Sequence, residues 1–142
     1  MPFEPQLPVA IEGDIQALVV LDPAFTPSTI VRRDTNCHIQ TKWHIKGLLA
    51  LGLGGAWTVR AFLESMGPGA EMVAGTQAVL MSTGTIVLPD KKEFTSTIQV
   101  NAGSVPAGVY KLVVAITYTE PGGSPGPLAA YQEGPIVQFF DA

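Results

Sequence analysis

Between Asn36 and Lys46 the chain alternates with a period of two. Cys37, Ile39, Thr41, Trp43 and Ile45 fall on one face, and His38, Gln40, Lys42, His44 and Lys46 on the other. That pattern predicts a strand with one buried and one polar face. The same alternation runs through Asp14–Leu21, Ala56–Glu64 and Phe94–Val100. It is strongest in Val109–Thr119, where Tyr110, Leu112, Val114, Ile116 and Tyr118 share a face and the opposite face is also largely apolar. Shorter strand candidates lie at Ser28–Arg33, Thr76–Leu80 and Thr85–Leu88, and Ala130–Phe140 closes the chain. Asp22-Pro23, Met66-Gly67-Pro68-Gly69, Pro89-Asp90-Lys91-Lys92, Asn101–Gly108 and Glu120–Pro127 carry the Gly, Pro, Asp and Asn that mark turns and loops. Gly47–Gly55 is apolar but holds too many glycines for a stable helix, since each costs about 1 kcal/mol against Ala. No segment shows a helical i, i+3, i+4 stripe bounded by caps. Seven to nine short strands separated by turns predict an all-β fold, a single antiparallel β-sandwich over residues 14–142. Residues 1–13, with Pro2, Pro5 and Pro8, are expected to form an extended N-terminal arm.

Thr95–Val100, a turn, and then Pro106-Ala107-Gly108-Val109-Tyr110 leading into Lys111–Tyr118 resemble the E–F portion of immunoglobulin-like and fibronectin-type sandwiches. A Gly-x-Tyr pattern opens strand F in those folds. The resemblance covers about a quarter of the chain and implies an immunoglobulin-like sandwich, with Trp43 near strand B and Trp57 near strand C. The paired cysteines of antibody-type domains are absent, and a shared fold implies no chemistry.

Composition sharpens this picture. The chain has 142 residues, of which 46% are hydrophobic and 14% charged, with 15 glycines and 12 prolines. A disordered chain needs the opposite balance. The charge of −4 and the scattered Lys and Arg residues do not make the basic patch expected of a nucleic-acid binder. The longest strongly apolar run, Gly47–Trp57, is far shorter than the ~20 residues of a spanning helix. The first residues have neither the basic nor the apolar region of a signal peptide, and one cysteine permits no internal disulfide. A protein without membrane insertion, cytoplasmic when synthesised, is expected, and it could later join a particle. With so few charges, part of the surface must be apolar, and one reading is that other subunits cover it.

Catalytic patterns fail on inspection. Gly122-Gly123-Ser124-Pro125-Gly126 matches the nucleophile-elbow spacing, but no helix follows and both histidines lie far upstream. Gly52-Leu53-Gly54-Gly55 lacks the third glycine of a dinucleotide loop and the Lys-Ser/Thr of a phosphate loop. Cys37 and His38 point to opposite faces of a strand, and His38 and His44 stand roughly 20 Å apart along it. One ion cannot bridge that gap. No catalytic residue, metal site or cofactor is expected. The surface singled out is the mildly basic stripe of His38, Gln40, Lys42, His44 and Lys46, extended by Arg60, which could meet acidic residues of a partner. The expectation is a non-catalytic assembly module that contacts copies of itself, or other subunits, through sandwich edges and the N-terminal arm. The alternative is a small-ligand or glycan-binding sandwich, with Phe3, Phe62 and Tyr131 as the exposed rings.

Overall fold

Nine strands follow one another along the chain: β1 (Glu12–Leu21), β2 (Ile30–Arg32), β3 (Cys37–Lys46), β4 (Ala56–Ser65), β5 (Met72–Leu80), β6 (Thr85–Leu88), β7 (Lys91–Val100), β8 (Gly108–Thr119) and β9 (Pro125–Phe140). The computed structural model describes residues 12–47, 52–67 and 71–141. Most of the expected arm and part of the Gly47–Gly55 stretch lie outside the described residues. The arm's predicted last residues, 12 and 13, belong to β1.

Two sheets pack face to face. One has the order β1-β3-β7-β6, the other β2-β9-β8-β4-β5. The fold is therefore all-β, an immunoglobulin-like sandwich: β1, β3, β7 and β6 stand as strands A, B, E and D, opposite β9, β8, β4 and β5. It is not wholly antiparallel. The three residues of β2 pair in parallel with Gln138–Phe140 of β9. The turn before β8 shows the tyrosine corner of this architecture, with the Tyr110 hydroxyl donating to the Pro106 carbonyl at 2.8 Å. Two residues on, where antibody domains carry a cysteine, this chain has a fully buried Leu112.

Aromatic rings join the sheets. Trp43 and Phe94 come from the four-stranded sheet and stack at 5.6 Å. Trp57 and Tyr118 come from the other. Trp57 meets Trp43 edge-on at 6.1 Å and Phe94 at 5.5 Å, arrangements that ring quadrupoles favour.

Local departures from the sequence pattern have identifiable causes. A bulge at Gln16 breaks the alternation of β1, so Ile15 and Val20 are both buried although they are five residues apart. Lys91 and Lys92 are strand rather than turn. Lys92 points inward, its stem buried and its ammonium 5.9 Å from the Phe94 ring centre. The last strand starts five residues before the expected Ala130. Gly126 permits this, because a Cβ there would lie 2.1 Å from the Tyr118 ring.

Candidate interaction surfaces

β3 is a central strand, with β1 on one side and β7 on the other. Its inward residues are buried as expected. Its outward stripe is not a free basic surface, because pairing register sets acids beside it. His44 lies between Asp14 of β1 and Glu93 of β7. The Gln16 side-chain amide donates to Glu93 at 3.1 Å, and Lys91 stands 3.9 Å from the same carboxylate. Lys42 is exposed, while Gln40, His44 and Lys46 are half-buried.

His38 leaves the stripe altogether. Its ring is buried beneath Phe25, stacked with centroids 4.2 Å apart. The turn after β1 causes this. One carboxylate oxygen of Asp22 accepts the backbone N–H groups of Ala24 and Thr26, both at 2.9 Å. That holds Phe25 in the left-handed region, at φ 61°, over the imidazole. Residues of such short turns carry no periodic signal, so the cover was not legible in the sequence.

Arg60 does not extend the stripe. It projects from β4, in the other sheet, and in a sandwich the two outward faces point in opposite directions. Its surroundings are set by register. Thr76, Arg60, Ala115 and Tyr131 form one row across the five-stranded sheet, and Val73, Phe62, Val113 and Glu133 form the next. Glu64 and Lys111 are paired one row further on. Lys111 gives its ion pair to Glu133 at 2.8 Å, which raises the ammonium pKa through that hydrogen bond first. The side chains of Arg60 and Glu64 make no hydrogen bond or close ion pair among the described residues, but the Glu64 carboxylate also helps to raise the Lys111 pKa.

The remaining motifs serve the fold. The Ser124 carbonyl closes a tight turn by accepting the Glu120 N–H at 2.8 Å, in the β8–β9 connection, whereas both histidines lie on β3 in the other sheet. The Gly54 carbonyl accepts the Tyr118 hydroxyl at 2.6 Å, and Gly55 has a positive φ of 91° that suits glycine. Cys37 is buried, and desolvation pushes its thiol up to about 11. A groove of about 790 Å3 opens between Met66, Met72, Pro106 and Val109, and its polar lining among the described residues includes Ser65, Glu71 and Ser104, with no cation or histidine.

No protein-family model matches the chain, and no curated protein matches its sequence. Among solved structures, it is similar to the C-terminal domain of wzt at 12% identity, with a TM-score of 0.55 over 92% of this chain and 74% of that one. The likeness is one of fold. A β-glucosidase from Listeria innocua, solved with gluconolactone, is superposed at 12% identity and a TM-score of 0.44, and the chain spans 16% of that enzyme's length.

Proposed function

We propose that this chain is a non-catalytic assembly module whose partner is a copy of itself. The observation that carries the reading is a run of exposed apolar side chains at the end of β5 and along β6. Leu80 is 58% exposed, Ile86 60%, Val87 41% and Leu88 49%. All four residues of β6 are exposed and uncharged, and β6 ends its sheet. Monomeric proteins rarely leave such apolar groups together in water. β6 is short and bulged against β7, so contact there is made by side chains more than by a continued backbone ladder.

The glycan-binding alternative asks for exposed rings grouped on one face. Trp43, Trp57, Phe94, Tyr110, Tyr118 and Phe139 are in the core, and Phe25 covers His38. Phe3 lies outside the described residues. Tyr131 is half exposed, but Phe62 is two strands away, roughly 10 Å, and partly buried. The surface therefore supports self-association better than a ring platform.

Light scattering on a size-exclusion peak tests the reading. The wild-type mass is expected above the 15.0 kDa monomer and to fall when Val87→Lys places a charge on β6. A wild-type chain that stays at 15.0 kDa at every concentration overturns it.

A further inference from the structure

On the outward face of β4, Arg60, Phe62 and Glu64 follow one another at alternate positions. The two charges are of opposite sign and flank an aromatic ring; Arg60 has no ion pair among the described residues, and Glu64 shares Lys111 with Glu133, which makes the closer contact. Around them stand Val73 of β5, Val113 of β8 and Ile136 of β9, together with the ion-paired Lys111 and Glu133. We infer that two copies pack these faces together about a two-fold axis crossing β4 at Phe62, so that Arg60 of each copy meets Glu64 of the other.

The pattern Arg-x-Phe-x-Glu is self-complementary under that operation. A two-fold axis across the strands reverses the direction of β4 while keeping Phe62 opposite Phe62. The position two residues before Phe62 then falls over the position two residues after it, cation over carboxylate. An isologous contact needs this property, because the same patch supplies both sides. Sheets pack about 10 Å apart, a gap that opposed Arg and Glu side chains can span. Glu133, in the row of Phe62, faces its own copy near the axis, and Lys111 beside it at 2.8 Å offsets that like-charge pair. An aromatic residue and an arginine at the centre of a patch are also the residue types that dominate interface energetics.

This arrangement rests on the self-assembly reading and names the surface that reading would use beyond β5 and β6. Charge exchange tests it, with mass read by light scattering and folding checked by thermal melts. Arg60→Glu and Glu64→Arg should each weaken association by at least about tenfold, because each sets like charges opposite one another. The chain carrying both substitutions should recover the wild-type mass. A merely structural role for either residue gives no such recovery. If the wild-type chain is monomeric throughout, the self-assembly reading fails and this contact with it. If the wild type associates and Arg60→Glu leaves its mass unchanged, the contact is overturned and the self-assembly reading stands. If both single variants dissociate but the double variant stays monomeric, the Arg60–Glu64 pairing is overturned.

Discussion

A few side chains bear most of the constraint at the scale of single residues. Trp43 is fully buried among the rings that bridge the sheets, and Tyr110 is buried with its hydroxyl fixed at the tyrosine corner. Trp43→Ala and Tyr110→Ala should each cost about 3–5 kcal/mol, the usual price of a large-to-small core change, measured in denaturant melts. Tyr110→Phe keeps the ring and removes the bond to Pro106, so it should cost only about 1 kcal/mol. Cys37 supplies a pH dependence. Its thiol is raised by burial from 9.0 to about 11, so the folded state holds the proton where the unfolded state has lost it. The stabilisation is complete below pH 9 and is lost as the pH rises towards 11. Cys37→Ala should flatten that alkaline decline in melting temperature.

At the scale of strands, the informative positions are those where two elements approach more closely than an ordinary side chain allows. Gln77 of β5 reaches across to β7, where its carbonyl accepts the Ser96 hydroxyl at 2.5 Å and the Thr97 N–H at 3.1 Å. Those bonds cap the part of the β7 edge that β6 does not cover. Beside it, Gly75 lies against Ile98, where a Cβ would stand 2.3 Å from a methyl carbon. Gln77→Ala leaves a buried donor unsatisfied and should destabilise the fold by about 1–3 kcal/mol. Amide exchange at Thr97 should rise more than at Ile39, in the middle of the same sheet. Gly126→Ala drives a methyl group into the Tyr118 ring and should cost about 1–3 kcal/mol, read by the same melts.

For the whole molecule, the closing strand is the element on which the rest depends. β9 pairs with β8 along most of its length, is the only strand partner of β2 among the described residues, and supplies Val137 and Phe139 to the core. A chain ending at Gln132 should therefore show no cooperative thermal transition by circular dichroism. The sheets join segments far apart in sequence, as β3 with β7 and β2 with β9, so refolding of the intact chain is expected on the millisecond-to-second scale.

The period of two placed β3, β4, β7 and β8 and told their inward from outward residues, because that distinction depends only on the pleat. The bulge in β1 and the early starts of β5 and β9 lay outside it. Cys37, Ile39, Thr41, Trp43 and Ile45 are inward as their spacing requires, and the alternating Val109–Thr119 stretch is a strand. What an outward side chain then meets is decided elsewhere in the chain. Whether His38 sees water depends on a turn held by Asp22, and whether the β3 stripe is basic depends on Asp14 and Glu93, brought alongside by register. Arg60 belongs to the opposite surface because β4 joins the other sheet, and alternation along one strand carries no information about which sheet that strand enters. Tertiary pairing alone set Val73, Val113 and Ile136 around Arg60, Phe62 and Glu64 on one outward face.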